Sequence, residues 1–257
     1  METRQIKSKD RVRERGEVFT AEREVKAMVD LVNDEAVKVE CDGGTFLEPA
    51  CGTGNFLIEI LARKCAALKA AKKPNAKDAE RYAFRLSLAL TKLYGIDIMS
   101  DNVRDCRKRL RDFVLAEFDK VVKGKDNGAR KELEDAAEVI TAINIVEGDA
   151  LKYKRNDGKP IVFVKWRAGD DNFRGGFSFG ITPYYFDTMV DESVGDDLRA
   201  SRGRARSPRA PDSLPSGRAA CPYAADLFEI KQPLERSPQF AFYKIREVEE
   251  FMKGIEL

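Results

Sequence analysis

Three acidic residues of this chain each end a short apolar run, and the first of them leads directly into a glycine turn. They are Glu48, Asp97 and Asp149. The turn, CGTG at residues 51–54, continues into a helical pattern of apolar residues. A strand, a tight turn and a helix N-terminus direct backbone N–H groups toward a ligand, and glycine permits the positive φ that such a turn requires. The spacing therefore predicts a nucleotide-type pocket.

The elements that position these acids alternate between helix and strand. Strands are predicted at 46–48, 93–99 and 143–151, with amphipathic helices between and around them, and a further strand at 161–166 follows a predicted hairpin turn. This alternation predicts an α/β fold with a doubly wound, mostly parallel sheet. Because parallel strands end at one edge, the three acids should line one crevice. A carboxylate after the second strand can accept ribose hydroxyls, and one after the third can accept an adenine amino hydrogen.

Caps and turns are also predicted from residue types. Thr20 should cap the first amphipathic helix, and Ser100 or Asp101 the helix that follows the second strand. The sequence NDGK at 156–159 predicts a hairpin turn before the strand at 161–166.

Composition excludes several classes of chemistry. The 257 residues include no histidine, which removes serine–histidine and cysteine–histidine catalysis and histidine-ligated zinc. Five scattered cysteines without a CxxC pair indicate reduced thiols and no metal site. The net charge is only +2, and no apolar run reaches the roughly 20 residues of a membrane helix. With no apolar leader, these features predict a cytoplasmic protein without a membrane partner or a metal.

The chain changes in character after Trp166, where lysine disappears until residue 231. Residues 196–222 are rich in Arg, Ala, Ser and Pro without a core pattern, which favours disorder. Four regions are predicted: a basic or frayed arm at 1–15, a ligand-binding domain at 16–195, an Arg/Pro/Ser-rich linker at 196–230, and a C-terminal strand and helix at 231–257.

Four sequence elements together resemble those of a known family. They are GEVFTAEREV at 16–25, LEPACGTGNFL at 47–57, GIDIM at 95–99 and EGDAL at 147–151. In this combination the chain resembles the adenine-specific DNA methyltransferases of the restriction–modification type, which use S-adenosylmethionine. The resemblance implies a Rossmann-like methyltransferase fold, here incomplete in its C-terminal half. It also implies DNA as a partner, together with restriction or specificity subunits.

The resemblance further implies a role for each matched residue. The first element reaches the methionine end of the cofactor and the second surrounds the methionine moiety, while the third contacts ribose and adenine and the fourth recognises adenine. The implied cofactor-binding residues are Phe19, Thr20, Glu48, Ala50, Cys51, Gly52, Gly54, Asn55, Phe56, Asp97, Ile98, Asp149 and Ala150. Ala21 stands where the family commonly has proline, a mild departure because proline is favoured rather than required there.

The family's catalytic motif, [D/N]PP[Y/F] after a strand, is altered in this chain. FDTMV at 186–190 resembles the strand, but Glu192 stands where Asn or Asp belongs, and SVG at 193–195 replaces the prolines and the aromatic residue. In the family these groups hold and stack the flipped base. A separate TPYY at 182–185 precedes the predicted strand. The catalytic residues are therefore unknown, with Asp187, Glu192 and Tyr184 as weak candidates.

Three functions stay open on the sequence alone. The first is methylation of the adenine amino group in DNA, which needs a positioned lone pair rather than a histidine, cysteine or lysine base. The second is a catalytically impaired cofactor- or DNA-binding remnant or subunit that lacks the NPPY motif. The third, a dinucleotide-dependent oxidoreductase, is disfavoured because the turn reads CGTG rather than GxGxxG.

Overall fold

A computed structural model describes residues 6–33, 44–71, 78–123, 127–169, 177–187, 239–241 and 244–254. The helices in these ranges are α1 (Lys9–Arg15), α2 (Glu22–Asp30), α3 (Asn55–Ala71), α4 (Ala79–Leu90), α5 (Ser100–Asp119), α6 (Asn127–Asn144) and α7 (Arg246–Gly254). The strands are β1 (Phe46–Glu48), β2 (Leu93–Asp97), β3 (Ile145–Asp149), β4 (Lys154–Arg155), β5 (Val162–Ala168), β6 (Ser178–Tyr185) and β7 (Gln239–Ala241). Within these ranges, no helix is both long and apolar enough to cross a bilayer.

Three parallel strands form one sheet in the order β1-β2-β3, and β4 pairs with β3 in the antiparallel sense. β2 is buried from residue 93 to residue 96, as expected for a strand covered on both faces. In the register of the sheet, Glu48 lies opposite Gly95, and Asp97 lies opposite Glu147. This architecture confirms the predicted α/β fold with a mostly parallel sheet. It also brings the carboxyl ends of β1, β2 and β3 to one edge.

Helix α3 is held in place by the apolar face that its sequence pattern predicts. Leu57, Leu61, Cys65 and Leu68 are each at most 4% exposed. Full burial of a leucine side chain contributes about 1.5–3 kcal/mol, so this face fixes the helix firmly against the sheet. Because α3 begins at Asn55, its packing also fixes the position of the glycine turn that precedes it.

A second sheet differs from the expected parallel arrangement. Its strands run in the order β5-β6-β7, and both of its pairings are antiparallel. The strand predicted at 161–166 is present as β5, and it belongs to this antiparallel sheet. Only residues 169–177 connect β5 to β6, whereas a parallel partner needs a crossover of about a dozen residues or more. The predicted turn at 156–159 is present: Gly158 has a φ of 85°, and Arg155 N–H donates to Lys159 O at 2.8 Å.

Buried hydrogen bonds join the two sheets. The Tyr94 hydroxyl on β2 donates to the Val164 carbonyl of β5 at 2.6 Å. Val164 lies opposite Pro183, which has no N–H to donate. Near the same junction, Trp166 Nε1 donates to Asn144 Oδ1 at 2.9 Å.

Removal of the Tyr94 hydroxyl should weaken this junction. We expect Tyr94→Phe to lower the free energy of unfolding by about 1–2 kcal/mol, because the buried Val164 carbonyl loses a donor. Urea denaturation monitored by Trp166 fluorescence measures the change. Tyr153→Phe is the matched control, since its hydroxyl makes no hydrogen bond within the part of the chain that the structure describes. Equal effects of the two substitutions would contradict a specific role for the Tyr94 hydroxyl.

Two predicted helix caps were wrong, and one helix was not predicted. Residues 9–15 form α1 rather than a frayed arm, with the Ser8 side chain accepting the Arg11 N–H and Gly16 ending the helix at a φ of 66°. Ala21, not Thr20, occupies the cap position of α2, and Met99, not Ser100 or Asp101, that of α5. The side chain of neither Ala21 nor Met99 makes a capping hydrogen bond to its helix. Acidic residues in the first turn of each helix interact favourably with the helix dipole and stabilise these N-termini instead.

The last two described elements pack against the rest of the described structure. β7 pairs with β6, and α7 lies against α6. Arg246 forms ion pairs of 2.7 Å with both Asp135 and Glu138, while Ile245 and Val248 are buried in the core. The predicted linker at 196–230 lies outside the described residues.

Candidate cofactor-binding site

The glycine turn that follows β1 is tied to the neighbouring strand. Cys51 N–H donates to the Ile96 carbonyl at 2.9 Å, and Gly54 N–H donates to the Cys51 carbonyl at 2.8 Å. Gly52 and Gly54 have φ angles of 52° and 86°. Both angles lie in the left-handed region that glycine adopts without a steric penalty. The turn therefore has the conformation that its sequence predicts.

The space around Gly54 is too small for a side chain. A Cβ atom added to Gly54 would lie 2.6 Å from Cys106 Sγ, and Cys106 on α5 is fully buried. Helices α3 and α5 thus meet at a point where only a glycine fits.

Asp97, at the end of β2, accepts three hydrogen bonds that organise the turn. Its Oδ2 accepts the Gly52 N–H at 2.8 Å. Its Oδ1 accepts the Met99 N–H at 2.8 Å and Asn102 Nδ2 at 3.3 Å. A carboxylate offers about four acceptor positions, so one position on Oδ2 stays available for a ligand hydroxyl. Asp97 is thus both a support of the turn and a candidate ligand-binding group.

Residues of the first of the four sequence elements, GEVFTAEREV at 16–25, form a wall beside the turn. The Phe19 ring lies against Gly52, 3.1 Å from where a Cβ atom would stand. Asn55 Nδ2 donates to the Thr20 carbonyl at 3.0 Å, while Asn55 Oδ1 accepts from Arg109 at 2.9 Å. Thr20 therefore participates through its backbone and not as a side-chain cap. A cavity of about 560 Å³ lies beside this wall, with Phe19 and Asn55 in its lining.

Glu48 is suited to bind a cation. Burial raises the pKa of its carboxyl group, and the Ala50 N–H, at 3.2 Å, opposes this shift only in part. A half-buried carboxylate with one hydrogen bond gains stability from a positive ligand group. Ala50 lies exposed beside it, and Phe56 on α3 packs partly buried against the core.

The predicted role of Glu48 has a consequence for the pH dependence of cation binding. A bound cation favours the ionised carboxylate, so the pKa of Glu48 should be lower in the complex than in the free protein. We expect the affinity for the cationic cofactor that the sequence resemblance implies to be constant above the raised pKa and to fall by up to about tenfold per pH unit below it. Calorimetry in a pH series measures this profile. Glu48→Gln should bind more weakly at neutral pH with a flatter profile, and identical profiles would contradict the assignment.

The third strand ends in an acid that caps its own turn. Asp149 Oδ1 accepts the N–H groups of Leu151 and Lys152 at 3.0 and 3.3 Å. The Lys152 side chain, through its hydrogen bond and charge, lowers the pKa of Asp149. Ile98, 40% exposed, follows the acid at the end of β2, and Ala150 follows Asp149. These positions place an apolar contact and an acceptor at the edge where an adenine ring is predicted.

The cysteine within the turn is not a nucleophile. Cys51 is buried, and its pKa is raised by its hydrogen bond with Cys106 and by burial. Burial also raises the pKa of Cys65 to about 12. Only a thiolate attacks efficiently, so these thiols are inert at neutral pH. All three described cysteines are free, as predicted.

Of the three weak catalytic candidates, the structure describes Tyr184 and Asp187. Tyr184 lies within β6 opposite Phe163 and is 5% exposed, so TPYY is part of a buried strand. The prediction of a strand at 186–190 was wrong for its first two residues, because the ladder with β5 ends at Tyr185 and Asp187 belongs to a helical turn. Asp187 itself is exposed. Glu192 lies outside the described residues.

Sequence reasoning missed three residues that support the site. Glu17 and Asn102 are joined at 2.7 Å, and Arg109 donates to both Asn55 and the Thr53 hydroxyl. Asn102 carried a usable signal, because it lies four residues before Cys106 on the apolar stripe of α5 and a polar residue there must find partners. Arg109 had no such sequence signal, because its charged neighbours on α5 are typical of a solvent-exposed helix face.

Comparison with known proteins supports a methyltransferase domain. Residues 27–143 match the family model described as "RMKL-like, methyltransferase domain". The matched range is less than half of the 257 residues, and it contains Glu48, the glycine turn and Asp97. Searches of curated proteins and of solved structures found no match to the chain.

Proposed function

We propose that this protein is an S-adenosylmethionine-dependent methyltransferase that acts on the exocyclic amino group of adenine in DNA, within a restriction–modification-like system. The observation that carries the cofactor assignment is the arrangement of Asp97 and Glu48 around the glycine turn. Asp97 offers an acceptor for a ribose hydroxyl, the half-buried Glu48 offers a partner for a cationic group, and Ile98 offers an apolar surface for a base. S-adenosylmethionine has these three parts.

The chain's own contribution is binding and orientation. When bound, the cofactor supplies a methyl group on a positively charged sulfur. The Gly52 turn, Phe19 and Asp97 would hold its two ends, and no side-chain base is needed to activate an amino group. The assignment of adenine and DNA is supported by the four sequence elements at 16–25, 47–57, 95–99 and 147–151.

A labelled-methyl transfer assay tests the proposal. The full chain, alone and with candidate restriction or specificity subunits, is incubated with methyl-labelled S-adenosylmethionine and either unmethylated DNA or RNA. We expect label in N6-methyladenine of DNA. Label on RNA only would contradict DNA as the substrate but would leave the methyltransferase assignment in place. Cofactor binding without label on any substrate would contradict the methyltransferase activity itself.

A second function is favoured by one observation, the burial of TPYY within β6. The chain would then be a catalytically impaired subunit that binds cofactor or DNA. Calorimetry with S-adenosylhomocysteine together with the transfer assay separates the two functions. Binding without transfer supports the impaired subunit, and transfer that Asp187→Asn abolishes while binding persists excludes it.

A further inference from the structure

The side chain of Asn102 connects the N-terminal segment to Asp97. Asn102 is 1% exposed, and both the oxygen and the nitrogen of its side-chain amide form hydrogen bonds. Its Oδ1 accepts from Lys7 Nζ at 2.8 Å and from Arg11 at 3.4 Å. Its Nδ2 donates to Glu17 at 2.7 Å and to Asp97 at 3.3 Å. The cations on one side and the carboxylates on the other therefore fix the orientation of the amide.

The cations of the N-terminal segment (residues 6–17) are themselves held by α5. Lys7 Nζ lies 2.8 Å from Asp101 and 3.1 Å from Asp105. Arg11 makes two hydrogen bonds to Asp101, of 2.7 and 3.2 Å, and pairs with Glu17 as well. The Arg11 and Lys7 hydrogen bonds hold the pKa of Asp101 well below its usual range. The side chains of Lys7 and Arg11 are 27% and 21% exposed, so these contacts are shielded more than ordinary surface pairs.

We propose that Asn102 is a positioning residue through which the N-terminal segment holds Asp97 in the orientation that binds the cofactor. The same Oδ1 of Asp97 that accepts from Asn102 accepts from Met99, and its Oδ2 holds Gly52. Release of Lys7 and Arg11 would free Asn102 to rotate, which weakens the constraint on Asp97 and the turn. Lys7 also lies 6.0 Å from the centre of the Phe19 ring, so the segment lies against the Phe19 wall of the site as well. This inference rests on the proposed cofactor site.

Variants of the N-terminal cations test the coupling. Lys7→Gln/Arg11→Gln replaces the two cations that donate to Asn102 with neutral amides, while Arg13→Gln removes one positive charge from an exposed position on α1. We expect calorimetry of the full chain with S-adenosylhomocysteine to give at least a tenfold weaker affinity for the double variant and less than a twofold change for Arg13→Gln. Lys7→Arg/Arg11→Lys retains the charges and should recover most of the affinity. Affinities within twofold of the wild type for the double variant would overturn the proposal.

Amide hydrogen exchange provides a readout that does not need the cofactor. The Gly52 and Met99 N–H groups both donate to Asp97, so their exchange should be several-fold faster in the double variant and unchanged in Arg13→Gln. If the wild-type chain binds no cofactor, the proposed function fails, and this exchange experiment still decides the coupling. Unchanged exchange at Gly52 and Met99 in the double variant would overturn it, even if the α1 amides themselves lose protection.

Discussion

Asp97→Asn should weaken the binding of S-adenosylmethionine by about 100-fold, which corresponds to about 2.7 kcal/mol. The substitution preserves shape but replaces one acceptor oxygen with an NH₂ group. At least one of the N–H groups of Gly52 and Met99 then faces a donor, and the charge-assisted hydrogen bonds are lost. The acceptor for a ligand hydroxyl is weakened at the same time. We also expect a loss of about 1–3 kcal/mol in the free energy of unfolding.

The matched control for Asp97 is Asp119→Asn. Asp119 is exposed at the end of α5 and pairs with Arg130 at 2.9 Å. Exposed pairs of this kind contribute at most about 1 kcal/mol, so binding should be unchanged. Calorimetry gives the affinities and urea denaturation gives the stabilities. If Asp97→Asn bound the cofactor within threefold of the wild type, Asp97 would not be a binding residue.

Gly54→Ala should be the most destabilising small substitution in the glycine turn. An L-residue at a φ of 86° is strained by about 1–2 kcal/mol. The added Cβ atom would also lie 2.6 Å from Cys106 Sγ, within a buried contact that cannot relax without moving α5. Overpacking of this kind costs about 1–3 kcal/mol, so a total loss of about 3 kcal/mol or more is expected.

Gly158→Ala is the control that separates backbone strain from overpacking. Gly158 has nearly the same φ, 85°, but no atom lies within 4 Å of its added Cβ. Its loss of stability should therefore reflect backbone strain alone. Gly54→Ala/Cys106→Ala should then recover the overpacking part, since Cys106 Cβ would lie 3.5 Å away, an ordinary contact. Equal losses for Gly54→Ala and Gly158→Ala in urea denaturation would contradict the close packing of the turn against α5.

The central part of the fold could be predicted from the sequence because its signals are local. Short apolar runs that end in Glu48, Asp97 and Asp149 are strands, and the glycine turn needs the positive φ that Gly52 and Gly54 adopt. The buried face of α3 follows from helical periodicity alone.

The parts that could not be predicted depend on contacts between distant residues. The N-terminal segment has a basic, solvated pattern, but Lys7 and Arg11 find acceptors 90 to 98 residues away on α5. The direction of β5 depends on the short connection to β6 and not on its apolar pattern, which is the same for either direction. The part played by Asp97 in holding Gly52 likewise needs the register of β1 against β2.

Calorimetric titration of the purified full chain with S-adenosylmethionine tests the central claim most directly. We expect saturable binding of one cofactor per chain, weakened about 100-fold in Asp97→Asn and unchanged in Asp119→Asn. Circular dichroism should show that all three proteins are folded. A folded wild-type chain that binds no S-adenosylmethionine, or a folded Asp97→Asn variant with wild-type affinity, would contradict the account.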